Sequence, residues 1–277
     1  VITGFQGMNA SGDITTLGRG GSDTTGVALA VALEADECQI FTDVDGVFTT
    51  DPRVYDKARL LKEVSFEEML ELSSSGAKVL QLRAVEYASK FKLPLRVLSS
   101  FKTGEGTLVQ EEKNIMERPI VSGISSIDSE AKLTIRGVPD IPGVAAKILS
   151  PISEAGIEVD VIVQNISAEN NTDFTFTVGK DDAKRAEEIL QKTSLSLGAG
   201  SIDVDDDIAK ISIVGRGMRA HAGVASKMFQ ALAKSEINIS MITTSEIKIS
   251  VVIKKSEMKK AVSALHDAFD LDKELDT

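Results

Sequence analysis

The chain has one cysteine, Cys38, no tryptophan, and two histidines, His221 and His266, among 277 residues. One thiol excludes an internal disulfide framework and a cysteine-ligated zinc site. Two histidines without ligand spacing speak against a dedicated transition-metal centre, so no metal-ligating set is assigned. Apolar runs are also short: none approaches the ~20 residues that span a bilayer, which excludes a membrane partner. Nothing at the start reads as a secretory leader, and a cytoplasmic protein is expected. Positive charge is scarce too, with 31 Lys and Arg against 42 Asp and Glu and a net charge of −11. A nucleic-acid backbone rewards the opposite balance, so no nucleic-acid partner is expected.

What remains is ordinary globular material, 42% hydrophobic and 26% charged. The length suffices for two or three small domains, each with its own core. The opening residues VITGF resemble the end of a strand entered midway, with no initiator Met, as in a fragment.

Strand-like and helix-like stretches alternate through residues 1–110, as in an α/β layer. Residues 24–33 are small and apolar all round, which predicts a buried helix. QIFT at 39–42 reads as a strand ending at Asp43. Ser65 and Glu68 fit a capping box that opens a helix through Leu72. A second helix is expected over 77–91 and a strand over 93–99. The polar stretch 103–117, with two glycines, marks a boundary.

Beyond it lies an internal repeat. KLTIRG at 132–137 pairs with KISIVG at 210–215, and Gly143-Val144-Ala145 with Gly223-Val224-Ala225. GIEVD at 156–160 pairs with EINIS at 236–240. The unit reads strand, glycine loop, helix, two strands, helix, and residues 201–205 close the first copy as a ferredoxin-like βαββαβ unit. The second copy lacks its last strand. Because an unpaired edge is avoided, residues 120–125 are expected to supply it, which inserts the first copy within the second. The expected divisions are 1–110, a linker and completing strand over 111–130, a first repeat over 131–207 and a second over 208–277.

Two segments carry the chemistry. In TTLGRGGSDTT at 15–25, glycines flank Arg19, whose planar fork suits a carboxylate. Gly20, Gly21, Ser22 and Asp23 lie where the next helix begins, a place that attracts anions. The same residues also fit a plain glycine turn with Ser22 or Asp23 as N-cap. In TDVDGVFTTDPR at 42–53, Asp43 and Asp45 follow a strand end and suit a metal or a nucleotide, and Arg53 suits phosphate. An acidic surface loop turning at Asp51-Pro52 fits equally well. Lys78, taken alone, reads as a solvated charge early in a helix. Both histidines read as surface residues.

These two segments, with GAKVL at 76–80, PDIPG at 139–143, VQN at 163–165 and TSEIKISV at 244–251, resemble the aspartokinase family. The resemblance covers nearly the whole chain. It implies an α/β fold: part of an amino-acid kinase sheet, then two ACT domains, the first inserted in the second. It further implies transfer of the ATP γ-phosphoryl group to the side-chain carboxylate of L-aspartate, with Mg²⁺, as the first step of lysine, threonine and methionine biosynthesis. Carried over by position, Arg19 and Asp23 are catalytic, and Arg19, Gly20, Gly21 and Ser22 bind substrate. Thr42, Asp43, Phe48, Arg53 and Lys78 line the nucleotide. Three departures stand out. The K-F-G-G-type segment that cradles phosphate in the family is missing, so this chain alone is expected to be inactive. Gln81-Leu82-Arg83 replaces a usual proline, touching only local helix geometry, and Phe48 stands where Tyr is common.

For the repeats the resemblance implies feedback by threonine, lysine or both. Asp140, Ile141, Pro142, Gly143 and Ala145 would hold the amino and carboxylate groups of an effector. Gln164 and Asn165 would read its side chain, with Asn238 and Ile239 closing the pocket from the other repeat. Val224, Ala225, Ser245 and Glu246 are further positions, and Glu158 to Asp160 would border a second pocket. A homodimer through these domains, or a larger assembly, is expected. Two rivals stand beside this reading: another amino-acid kinase acting on glutamate, acetylglutamate or carbamate, and a non-catalytic amino-acid-sensing subunit or fragment.

Overall fold

The computed structural model describes all residues except 113–119, 167–170, 217, 219–222 and 274–277. His221 therefore lies outside the described residues. The first part opens with a hairpin of β1 (Gln6–Met8) and β2 (Ile14–Thr16), followed by α1 (Gly21–Ala32) and β3 (Cys38–Thr42). After a long loop come β4 (Glu63–Ser65), α2 (Phe66–Ser74), α3 (Leu82–Phe91), β5 (Leu95–Ser99) and β6 (Thr107–Gln110). Strands β3, β5, β6 and β4 make a mixed sheet in that order, with only the β5–β6 pair antiparallel.

Local sequence explains most of this. Ser65 caps α2 by accepting from the Glu68 N–H, and the Glu68 carboxylate accepts from the Ser65 N–H, which satisfies two orphan donors at once. Three expectations for this first part need correction. Helix α1 forms, but of its residues only Gly21 and Val27 are buried, because it packs along one side against α3 and β3. The helix expected over 77–91 begins only at Leu82. Gly76 has φ +109°, and Gln81 is extended, so the chain between them crosses as an irregular segment. The polar stretch 103–117 contains β6, whose Thr107 and Val109 point into the core while Leu108 and Gln110 do not.

The remainder folds as β7 (Gly123–Ile127), β8 (Glu130–Pro139), α4 (Val144–Glu154), β9 (Val159–Ile166), β10 (Asn171–Gly179), α5 (Ala183–Leu197), β11 (Ile202–Asp205), β12 (Ile208–Val214), α6 (Val224–Lys234), β13 (Met241–Thr244), β14 (Lys248–Lys254) and α7 (Met258–Ala268). Two four-stranded antiparallel sheets result, ordered β11-β8-β10-β9 and β13-β14-β12-β7. The repeat is exact in its signals: Gly143 (φ +85°) and Gly223 (φ +103°) each cap an eleven-residue helix in the left-handed conformation. Strand β7 occupies in the second sheet the place that β11 takes in the first, pairing Gly123–Ile127 with Lys210–Val214 of β12. The first repeat is thereby inserted in the second.

Several contacts join the parts. Helix α2 packs on β7 and β12, so that Val214 lies in the core of the first part with Leu72 and Met69. Lys248 pairs with Glu71 at 2.7 Å, and Ser122 donates to Glu68. Between the repeats, Lys210 of β12 is 4% exposed and bonded both to Glu130 (2.6 Å) and to Asp160. Finally, His266 of α7 is fully buried, correcting its expected surface position, because the loop after β3 lies over it. Its Nε2 meets Thr49 Oγ1 at 2.8 Å, and the Tyr55 ring stands edge-on at 4.9 Å.

Replacing Lys210 with Met leaves Glu130 buried without its cation. Removing one partner of a buried ion pair costs about 3 kcal/mol, so K210M lowers stability by that order in urea titration. D160N costs less, since Asp160 is half exposed.

Burial pushes His266 below its ordinary value of 6.5, reinforced by Arg59 and Lys57 and opposed by Asp272 and Asp267. The unfolded chain therefore takes up this proton first. The contribution is complete above pH 6.5 and is lost as pH falls through the lower folded value. Urea titrations at about pH 7.5 and about pH 5.5 should show a larger acid loss for the native chain than for H266Q.

Candidate functional site

The glycine loop is built from backbone outward. Gly18 (φ +76°) and Gly20 (φ +72°) turn the chain so that Gly20 is the N-cap of α1 with no side-chain cap. Ser22 and Asp23 are thus not N-caps but lie in the helix's first turn. A Cβ on Gly20 would fall 1.7 Å from the Gln81 side chain, so glycine is required by space as well as by φ. Arg19 and Ser22 are exposed, Asp23 is half-buried, and Gly21 is buried. Burial raises the Asp23 carboxyl above its ordinary value, opposed by a hydrogen bond from the Gln81 backbone. Arg83 Nη2 donates to the Leu17 carbonyl at 3.0 Å and the Arg19 carbonyl at 3.3 Å.

The second loop leaves the carboxyl end of β3. Thr42 Oγ1 donates to Asp43 at 3.2 Å, and Asp43 is exposed. Phe48 is half-buried and bridges to Leu60. Arg53 is bound to Asp51 through Nε and Nη2 (2.8 Å), which lowers the Asp51 carboxyl, and the Arg53 side chain is 81% exposed. Lys78 sits in the irregular segment before α3, not in a helix, and its charge acts on Asp51. Gln81 and Arg83 thus hold the first loop.

Beside the second loop lies a cleft of about 180 Å³ lined by Asp45, Leu60, Ser99, Lys102, Thr103, Gly104, Glu105 and Gly106. It opens where β3 and β5 end, the usual place for ligands in such sheets. Asp45 is paired with Lys102 at 3.0 Å, which lowers its carboxyl, so it is not a free metal ligand. Lys102 was not singled out by sequence, and Gln81 and Arg83 stood there only as a departure touching local helix geometry, not as residues that hold the loop. Their only signal for such a role was position: Gln81 caps α3, Arg83 lies in its first turn, and Lys102 follows a strand end.

In the repeats, Asp140, Ile141, Pro142 and Gly143 are exposed at the β8–α4 turn, with Ala145 in the first turn of α4. Gln164 and Asn165 are exposed on β9, an edge strand. Glu158 borders an open depression of about 610 Å³ with Leu149, Ser153 and Val159, whereas Asp160 is bonded to Lys210. Val224 is buried, Ala225 half-buried, and Asn238 and Ile239 precede β13 in the other sheet. Ser245 and Glu246 are exposed in the β13–β14 turn. Among the described residues no group of three or more His, Cys, Asp or Glu is placed to hold a metal ion. No helix among them is long and apolar enough to cross a membrane.

Comparison with known proteins decides the family. The Amino acid kinase family model matches residues 1–99, and the ACT domain model matches 133–193 and 211–269. The aspartate kinase of Pseudomonas fluorescens is 64% identical over 273 residues, covering 98% of this chain and 66% of that protein. A crystal structure of aspartokinase alpha and beta subunits is 51% identical, with TM-score 0.51, over 54% of this chain and 99% of that one. The chain belongs to the aspartate kinase family.

It spans about two thirds of the length of the curated relatives it matches, 66% for the Pseudomonas fluorescens protein. Escherichia coli aspartokinase III in complex with aspartate and ADP (R-state) is 28% identical, with TM-score 0.82, over 96% of this chain and 59% of that one. The same enzyme in complex with lysine and aspartate (T-state) gives TM-score 0.77 at 28% identity, over 96% and 59%. This aspartate kinase chain thus keeps the family's kinase and ACT architecture throughout its described residues.

Replacing Arg83 with Met removes both donors to the glycine loop. Backbone amides of residues 17–21 should then exchange with deuterium about tenfold faster, the scale of one hydrogen bond to a charged donor, while α5 exchanges unchanged.

Proposed function

We propose that this chain forms part of an aspartokinase that transfers the ATP γ-phosphoryl group to the side-chain carboxylate of L-aspartate, giving 4-phospho-L-aspartate and ADP. One observation carries the reading: the glycine loop of Arg19 and Asp23, held by Arg83, and the strand-end loop of Asp43, Phe48 and Arg53 both lie within the part that matches the Amino acid kinase family model. Two loops at the carboxyl side of one sheet suit two substrates that must meet. Aspartokinase III, bound to aspartate and ADP, supports the same pairing of ligands.

The nucleophile is already ionised, so the reaction needs neutralised charge and alignment rather than a base. The aspartate carboxylate oxygen attacks the γ-phosphorus, the bond to the β–γ bridging oxygen breaks, and no proton changes hands. Arg19 receives the aspartate carboxylate, and the exposed Ser22 hydroxyl and the first turn of α1 assist. Asp23 helps orient the reacting carboxylate and the donors around it. Thr42, Asp43 and Phe48 line the nucleotide, and Lys78 and Arg53 meet its phosphates once Arg53 leaves Asp51. Asp43 would hold Mg²⁺ here, since Asp45 is paired with Lys102. Its chemistry would be to shield phosphate charge.

The repeats are read as the sensing part, divided as 131–207 and 208–277 and preceded by the completing strand within 111–130. Threonine, lysine or both would bind at Asp140 to Ala145 with Gln164 and Asn165. The residues Asn238 and Ile239 of the other repeat would close the pocket. Edge strands β9 and β13, with Ile162 50% and Ile242 46% exposed, support a pairing of two chains there. A cytoplasmic place for such a reaction follows from its substrates.

The test is hydroxylamine trapping of the acyl phosphate, using this chain complemented with the part of the Pseudomonas fluorescens relative that has no counterpart here. The complemented enzyme should act on L-aspartate. R19A should lower kcat/KM for aspartate by roughly a hundredfold, the scale of one lost charged contact to a reacting group. Turnover of glutamate or acetylglutamate in place of aspartate would overturn the assignment. Calorimetry with threonine and lysine should show saturable binding that D140A weakens by about tenfold. Heat from neither would leave the repeats as a dimerisation unit.

A further inference from the structure

Thr49 lies in the middle of the loop that carries Phe48 and Arg53, and it is completely buried. Four hydrogen bonds fix it. Two are local: its N–H donates to the Arg59 carbonyl at 2.8 Å, and its Oγ1 accepts from the Arg59 N–H at 2.9 Å. Two come from the second repeat: the Ile124 N–H of β7 donates to the Thr49 carbonyl at 2.7 Å, and His266 Nε2 of α7 meets Oγ1 at 2.8 Å. The approach leaves little room, since a Cβ on Gly123 would stand 3.1 Å from the Thr49 carbonyl oxygen.

The surroundings reinforce the contact. Tyr55 donates to Asp267 at 2.5 Å while its ring packs on His266, and Arg59 Nε donates to the Leu271 carbonyl at 3.3 Å. The loop therefore rests on two elements that stand at opposite ends of the second repeat in sequence, β7 and α7. Any change in how α7 sits on its sheet must move Thr49, and Thr49 is bonded neighbour to Phe48. A buried hydrogen bond of this kind is sensitive to geometry, because a displaced partner leaves a dry polar atom unsatisfied.

We infer that His266 is a positioning residue of the nucleotide site, acting through Thr49. The second repeat thereby sets the conformation of the loop that lines the nucleotide, an inference that rests on the aspartokinase reading above. His266 touches no reacting atom. It fixes the hydroxyl that holds the loop, and its counterpart β7 fixes the carbonyl.

Three substitutions separate this role from simple filling of space. H266L keeps bulk and removes the hydrogen bond, H266Q keeps a polar group at the Nε2 position, and T49V removes the hydroxyl with little change of shape. In the 277-residue chain, H266L and T49V should speed deuterium exchange at amides 47–53 by about tenfold, with α1 and α5 unaffected, whereas H266Q stays within about twofold. The T49V/H266L double variant should be no worse than T49V alone, as expected of one shared interaction. In the complemented enzyme H266L should raise KM for ATP about tenfold and leave kcat and KM for aspartate within about twofold. Unchanged exchange in H266L, or an H266Q as loose as H266L, would overturn the role. So would a loss that falls on kcat and both KM values alike. Absence of phosphoryl transfer from the unsubstituted complemented enzyme would sink the kinase reading instead. The exchange comparison would still decide whether His266 fixes the loop.

Discussion

The arrangement depends on the pairing of β7 with β12. A three-stranded sheet of β12, β13 and β14 would expose the backbone groups along one side of β12, and a buried unpaired edge is costly. Residues 123–127 fill that edge, five registered pairs from Lys210–Ile127 to Val214–Gly123. Because β7 comes directly before β8, the whole first repeat is then enclosed between the first strand of the second repeat and the rest of it. Because β7 also follows the first part, the second sheet is drawn against α2. Val214 joins the core of that part, and the Ile124 N–H reaches Thr49. One strand thus fixes the inserted topology and the contact between the kinase part and the second repeat.

The site follows a similar economy. A glycine loop can approach a ligand closely only if something else holds it, since glycine adds conformational freedom rather than rigidity. Gln81 fills the space beside Gly20, and Arg83 binds two carbonyls that the turn leaves unpaired. The second loop is held from the other direction by Thr49. Between them Arg19, Asp43 and Lys78 remain exposed, free of the structural duties carried by their neighbours. In the proposed reading, scaffold and chemistry fall to different residues, which would let the charged groups meet ligands without loss of the fold.

Much of this was legible in the sequence. The repeat, the missing strand and the capping box at Ser65 are local patterns with direct physical causes, and each appears in the structure. The glycine loop and the strand-end loop were legible as candidates, although the residues alone left a plain turn and an acidic surface loop open for them. What failed to be legible depends on tertiary context. Residues 77–80 have helix-forming composition, yet Gly76 adopts φ +109° against Ile127 and Ser126 of β7, and the helix waits until Leu82. Strand β6 was hidden by flanking glycines and only four residues of alternation. His266 looks like any late helical histidine, and its burial is set by a loop more than two hundred residues away. Helix α1 is apolar all round, but composition does not say how many of its faces find a partner. The roles of Arg83 and Lys102 likewise come from what the fold brings near them.

The central claim is that the sensing repeats and the nucleotide loop form one coupled unit, with Thr49 as the link. The most direct measurement is deuterium exchange of this chain with and without threonine and lysine, followed at residues 140–145 and 44–53 together. The account predicts that an effector which protects 140–145 also changes exchange at 44–53, because the first repeat is tied to β12 through Lys210 and β12 to Thr49 through β7. Protection confined to 140–145, with the loop unmoved at saturating effector, would contradict it.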